Sequence, residues 1–346
     1  MIWLSWRQAR TSFLTAVLAV AAVVTLTLAT GPHLRDLAAQ GGSLFDALTG
    51  NDRNLFYAGI ALVAAAPPII GAFWGAPLVA RELEAGTYRL VWTQSVTRSR
   101  WLGVKTALTC AVAAAVIALV SLAVTWWSSP LDGAVGSTHG GLPGRLTPIS
   151  FAMRGIAPIG YVLFALALGI AVGAVLRRSL LALAVTLALY VVVQLLVPAV
   201  VRPHLLPPVV EAVTIGYSTL DGINSDAGPG LGITLHTGDR DDWIIAQTTI
   251  DSDGRPATLP LWFVECITPR NAQPATQSSG ATSLHTQAGT SGTCLARLSD
   301  AGYRQLVTYQ PADRFWPLQG VETALYVTAA ALLLAVSWFW VSRRIG

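Results

Sequence analysis

A chain of 346 residues that is 53% hydrophobic and only 12% charged, with mean hydropathy +0.56, does not describe a soluble domain; it describes a polytopic membrane protein. The formal charge of +4 is small, and Lys105 is the one lysine among 22 basic residues. That excess suits the orientation of loops at a bilayer better than nucleic-acid binding.

In chain order, IWLSWRQART at the N-terminus has the pattern of an amphipathic interfacial helix over residues 1–11, with Trp3, Trp6, Arg7 and Arg10 as its marking side chains. Six apolar runs long enough to cross a bilayer as helices follow: Ser12 to Thr30, Tyr57 to Ala80, Val104 to Trp127, Ile156 to Leu176, Leu180 to Val201 and Val321 to Val341. The first is longer than a signal-peptide core, and Ala29-Thr30-Gly31 is a weak cleavage site, so retention is favoured over removal. Pro67-Pro68 is expected to kink or break the second run.

Between the second and third runs lies RELEAGTYRLVWTQSVTRSRW, residues 81–101, a charged amphipathic segment confined to a membrane surface by its two neighbours. As a helix it offers Leu83, Tyr88, Leu90 and Val91 to membrane or neighbouring spans and leaves Glu82, Glu84 and Arg89 for a cytoplasmic protein, with Gly86 permitting a sharp break.

Runs four and five are separated only by Arg177, Arg178 and Ser179. Counting basic residues near span ends, one side carries eleven (Arg7, Arg10, Arg81, Arg89, Arg98, Arg100, Lys105, Arg177, Arg178, Arg343, Arg344) and the other four (Arg35, Arg53, Arg145, Arg154). By the positive-inside rule both termini, the segment 81–101 and the Arg177 turn are cytoplasmic, in the plasma membrane.

The stretch from Arg202 to Gly320 is too long for a connector and is expected to be an extracytoplasmic domain. Its apolar segments Trp243 to Ile250 and Leu259 to Ile267, separated by the turn-like DSDGRPAT, predict a pair of strands. Asn271 to Thr293 reads as a flexible excursion. Cys266 and Cys294 flank that excursion and predict a disulfide, worth on the order of 3 to 4 kcal/mol for a loop of that size. Cys110 stands alone within a span.

The expected architecture is therefore an all-α polytopic membrane protein of six transmembrane helices. Its parts are an interface helix (1–11), five spans with the element 81–101 between the second and third (12–201), a partly β extracytoplasmic insertion (202–320), and a sixth span with a cytoplasmic tail (321–346).

No phosphate loop, HExxH, CxxC or GxSxG pattern is present, so the chain is not expected to be an enzyme. The five histidines lie in the predicted outer loops without metal-ligand spacing. Asp239, Asp241 and Asp242, with Asp251 and Asp253, favour solvated turns; weak cation binding is the other reading, but the closing glutamate of an EF-hand is missing. Charge is scarce within the spans, in line with about 2.5 to 3.5 kcal/mol per central charge, which argues against a proton- or sodium-driven transporter. Trp74, Tyr161, Tyr190 and Gln194 are the polar and aromatic candidates for an inner path.

The pattern RELEAGTYRLVWTQSVTRSRWLGVK resembles the cytoplasmic coupling region of ABC transporter permeases of the type 2 exporter class. In that class an acidic residue precedes a glycine-threonine pair, with an arginine and a lysine ahead of the next span. IWLSWRQART and YQPADRFWPLQGVETALY resemble the actinobacterial branch of that family. The resemblance implies that Arg81, Glu82, Glu84, Gly86, Thr87 and Arg89 dock on an ATP-binding subunit, beside the helix of Trp3, Trp6, Arg7 and Arg10. It implies two such subunits, a second permease copy as homo- or heterodimer, and no cofactor in this chain, ATP and magnesium being held by the partner. The implied activity is export of a hydrophobic or amphipathic small molecule, peptide or lipid-like compound. A membrane sensor whose outer domain detects a ligand is the alternative. The family's outer region before the last span is a short re-entrant helical pair; here it exceeds a hundred residues.

Overall fold

The computed structural model describes residues 2–39, 48–84, 98–134, 143–224, 232–239, 241–267 and 288–344. Among them, six helices are long and apolar enough to cross a membrane: Leu14–Ala39, Gly50–Glu84, Leu102–Asp132, Ala157–Leu176, Ser179–His204 and Ala312–Val341. These are spans one to six. The chain divides into two compact units, one holding all six spans and the other running from Pro207 to Ala312.

Several spans outrun their apolar cores for local reasons. The first helix is continuous from Ile2 to Ala39 and passes through Pro32, because its last turns are held by the third span. A Cβ on Gly31 would fall 2.6 Å from the Trp126 ring, Trp127 Nε1 donates to Thr30 Oγ1 at 2.8 Å, and the Arg35 guanidinium lies 4.0 Å from the Trp126 ring centre. Span two starts on a capping box: Asp52 N–H donates to Thr49 Oγ1 and Thr49 N–H donates to Asp52 Oδ2, which satisfies backbone donors at the helix start.

The two prolines of span two do not break it. The helix runs through Pro67 and Pro68 to Ile70 and absorbs the disturbance just beyond, as a π-helical turn at Gly71–Gly75, before resuming at Ala76–Glu84. At the junction the Gly71 N–H is shared between the carbonyls of Pro67 and Pro68, so the helix continues past the proline pair without a break.

Span four is the centre of the membrane unit: 67% of its apolar window is buried, against 39% or less for every other span. Small residues bring it backbone to backbone with span two. A Cβ on Gly169 would lie 2.3 Å from the Gly71 carbonyl oxygen, one on Gly173 2.5 Å from the Ala76 oxygen, and one on Gly71 2.6 Å from the Ala165 oxygen. This is the membrane solution to helix association, where lipid offers no hydrophobic drive and close van der Waals contact must supply it. On its other flank, Gly160 sits under Thr323 and Tyr326 of span six.

The second unit is a small α+β body. Strands β1 (Val209–Thr214), β4 (Trp243–Ile250) and β5 (Arg304–Gln310) form an antiparallel sheet in the order β1-β5-β4, while β2 (Leu220–Asn224) and β3 (Gly232–Leu235) make a separate hairpin. The Gln247 side chain of β4 bridges the two sheets, its Oε1 accepting from Leu235 N–H at 3.0 Å and its Nε2 donating to the Leu235 carbonyl.

The predicted strand pair is half right. Trp243–Ile250 is a strand, but its partner is β5, with Ile244 opposite Tyr309, and Leu261–Ile267 is a helix. Pro260 accounts for this: it cannot donate to a ladder, and its carbonyl instead accepts from Phe263 and Val264 N–H to open the helix. That helix buries Phe263 against Cys294, Leu295 and Leu298 of the helix Ala288–Asp300. Cys266 and Cys294 lie at disulfide distance, Cα to Cα 6.1 Å, between these two helices. The DSDG turn closes as expected, with Gly254 at φ 77 and Asp251 Oδ1 accepting from Asp253 and Arg255 N–H. Most of the excursion beginning at Asn271, residues 271–287, lies outside the described residues.

Candidate functional site

Two constellations of polar side chains stand out in the membrane unit. The first lies at its arginine-rich end, where span two stops, span three starts and spans four and five turn. The helix Ala76–Glu84 carries Arg81, Glu82 and Glu84 in its last turn. Glu82 forms an ion pair with Lys105 of span three. Glu84 Oε2 accepts from Ser179 N–H at 3.0 Å and from Ser179 Oγ at 2.7 Å.

Ser179 is the first helical residue of span five, and the turn that precedes it is tight. Span four ends on Arg177, whose φ of 55 is the one positive value among the described non-glycine residues, with its N–H donating to Gly173. Arg178, at the N-cap, provides no side-chain cap. A helix start has free N–H donors and a partial positive charge. Here a carboxylate from another helix meets one of those donors. Beneath these polar contacts, Val79, Leu102, Ile170, Ala174 and Val341 pack spans two, three, four and six together.

The second constellation joins spans four, five and six. Arg202 and Glu322 are both fully buried. Arg202 Nε donates to Glu322 Oε2 at 2.7 Å and Nη2 to Oε1 at 2.8 Å, a two-pronged pair. Tyr161 donates its hydroxyl to Glu322 Oε1 at 2.6 Å, Arg202 Nη1 reaches the Pro148 carbonyl at 3.2 Å, and the guanidinium lies 4.4 Å from the Phe151 ring centre. One turn before Glu322, Gln319 caps span four: its Oε1 accepts from Ile156 and Ala157 N–H at 3.1 and 2.7 Å, and its Nε2 donates to the Phe151 carbonyl at 2.9 Å. Next to these, Tyr326 stacks edge-on against Tyr161 and Phe164, Phe164 contacts Tyr190, and Tyr326 hydroxyl donates to Gln194 Oε1 at 3.3 Å.

Of the residues expected on an inner path, Tyr161, Tyr190 and Gln194 thus meet around Tyr326 and Phe164, whereas Trp74 sits half-buried in the π-helical turn. Of the expected coupling residues, Arg81, Glu82 and Glu84 end span two; Gly86, Thr87 and Arg89 lie outside the described residues. Trp3, Trp6, Arg7 and Arg10 fall within the first turns of the continuous first helix. Asp239 and Asp242 of the second unit accept from backbone, Asp242 Oδ1 from Ala312 N–H and Asp239 Oδ1 from Asp241 N–H, and Asp242 Oδ2 accepts from the Thr237 hydroxyl. Among the described residues no three His, Cys, Asp or Glu side chains gather as a metal site.

The reading of the spans as poor in ionisable groups missed the Arg202–Glu322 pair, because each charge sits where an apolar run ends or begins. A signal was nonetheless present. Spans five and six are consecutive in the membrane, so the end of one and the start of the other share a face. An arginine and a glutamate there are complementary.

Comparison with curated proteins and with solved structures gave no match. Comparison with family descriptions gave one: the family described as ABC-2 membrane transporter related, matched over residues 11–202. That range takes in spans one to five, including the helix end that carries Glu82 and Glu84, and exceeds half of the chain. This is a multi-pass membrane protein, the chain being a member of the ABC-2 membrane transporter related family.

Proposed function

We propose that this transporter subunit is the membrane half of an ATP-driven exporter, moving a hydrophobic or amphipathic compound outward, and that segment 81–101 docks on a separate ATP-binding subunit. Two copies of each assemble, both termini face the cytoplasm, and the ATP-binding subunits carry ATP and magnesium. The observation that supports this most is the termination of span two. Immediately ahead of the polar stretch 85–97, Glu82 and Glu84 are joined to two other spans, so a force applied to that stretch acts on more than one helix. Family membership is in keeping with an ATP-binding partner.

The test is co-expression with a candidate ATP-binding subunit, purification in mild detergent, and ATP-dependent uptake of an amphipathic dye by inside-out vesicles. Co-purification of the two subunits together with ATP-dependent uptake is expected. Purification of the chain without any ATP-binding protein, from membranes that contain the candidate subunit, overturns the reading.

A further inference from the structure

Two residues at the end of span two, Glu82 and Glu84, each make an outward connection, and the two differ in kind. Glu82 to Lys105 is a pairing of opposite charges between neighbours in sequence order, spans two and three. Glu84 reaches past span four to the start of span five, and uses one oxygen to hold both the backbone and the hydroxyl of Ser179. Span five does not cap itself: Arg178 gives no side-chain cap, and Arg177 is the left-handed residue that ends span four. Spans two and four meet backbone to backbone, Gly71, Gly75 and Ala76 against Gly169 and Gly173. Besides the packing of span two against span five, Glu84 and Ser179 give a polar link from the end of span two to the first turn of span five.

Resting on the reading of 81–101 as an ATPase-docking segment, we propose that Ser179 is a positioning residue for transport. It receives the displacement of span two through Glu84 and passes it to span five.

Proline isolates this role. Ser179 occupies the first helical position, where proline is well tolerated and its missing N–H costs the helix nothing. Arg178 is already extended, at φ −130 and ψ 115, as a residue before proline must be. Ser179→Pro thus removes both donors to Glu84 and spares span five; Ser179→Thr keeps both.

The measurement uses the intact complex with its ATP-binding subunit, in a Cys110→Ser background. Spin labels are placed at Leu119→Cys on span three and Leu195→Cys on span five, both exposed on the spans, and the distance between them is recorded with and without ATP and vanadate. No transported compound is required. The expected result is an ATP-dependent shift in the wild type and in Ser179→Thr, reduced at least about threefold in Ser179→Pro, with unchanged co-purification and unchanged ATP hydrolysis. A full shift in Ser179→Pro overturns the inference and leaves the exporter reading standing. A wild-type chain that binds no ATP-binding subunit, or shows no shift, overturns the exporter reading and the inference with it. Should Ser179→Pro fail to accumulate, Ser179→Ala removes the hydroxyl donor alone; a reduced shift is then expected, and a full shift overturns the inference.

Discussion

Replacing Glu322 by Leu leaves a guanidinium sealed among spans four, five and six with two neutral acceptors among the contacts described, the Pro148 carbonyl and the Tyr161 hydroxyl. Arginine cannot shed its charge, so this variant belongs at the upper end of the 3 to 5 kcal/mol that breaking a buried ion pair costs, about 5 kcal/mol. Arg202→Met leaves a carboxyl that still has the Tyr161 hydroxyl and can bind a proton, so about 3 kcal/mol is expected. The double variant Arg202→Met with Glu322→Leu removes both charges and orphans only the Tyr161 hydroxyl, for about 1 to 2 kcal/mol; adding Tyr161→Phe removes that too. At about 2 to 4 °C per kcal/mol for a body of this size, the single variants lower the unfolding midpoint by about 6 to 20 °C and the double by much less. Heating detergent-purified protein and following the monodisperse fraction by size-exclusion chromatography reads the series. Single variants as stable as the wild type, or a double variant as damaged as the sum of its singles, would refute the reasoning, since the pair would then not be the closed, mutually dependent unit described.

Gly169→Ala places a methyl carbon 2.3 Å from the Gly71 oxygen and 2.7 Å from the Ala76 nitrogen, so spans two and four must part by about 1 Å, at a cost of about 1 to 3 kcal/mol; Gly103→Ala, which has nothing within 4 Å, is the matched control and should match the wild type in the same heating assay. Gln319→Leu leaves the Ile156 and Ala157 N–H groups and the Phe151 carbonyl without this partner, and about 1 to 3 kcal/mol of stability should be lost; a midpoint equal to wild type counts against a capping role. Cys266→Ser with Cys294→Ser should weaken the second unit by about 3 kcal/mol, seen as faster trypsin cleavage within 207–312 while the spans stay intact; equal cleavage rates in both proteins exclude a stabilising bridge.

The six spans were legible because each is a long apolar run, and a helix is the way one such run satisfies its own backbone in lipid. What escaped was set by contact between runs. The first helix passes Pro32 because Trp126 and Trp127 of a distant span hold its last turns. The proline pair of span two produces a π-helical turn a few residues later rather than a break, because the glycines there can approach span four. In the second unit, β-branched and aromatic composition marked Trp243–Ile250 correctly and Leu261–Ile267 wrongly, since the proline that opens the latter outweighs its propensity. The Arg202–Glu322 pair was visible as two separate charges at span ends, but their meeting depends on the topology. At the arginine-rich end, Glu82 and Glu84 were picked out as polar residues available to a partner; that they also reach Lys105 and Ser179 is knowledge of tertiary structure alone.

The middle strand of the three-stranded sheet is the last one made. Among the described residues β1 and β4 each pair with β5 and with no other strand, and β5 is followed almost at once by the start of span six at Ala312. During synthesis both earlier strands therefore wait with unpaired edges until nearly the entire second unit has emerged, a state open to mispairing with other chains. Completion of the sheet and entry of the final helix into the bilayer fall within the same short interval of translation. A ribosomal pause placed between β4 and β5 would lengthen that exposed state, and one placed after Ala312 would not.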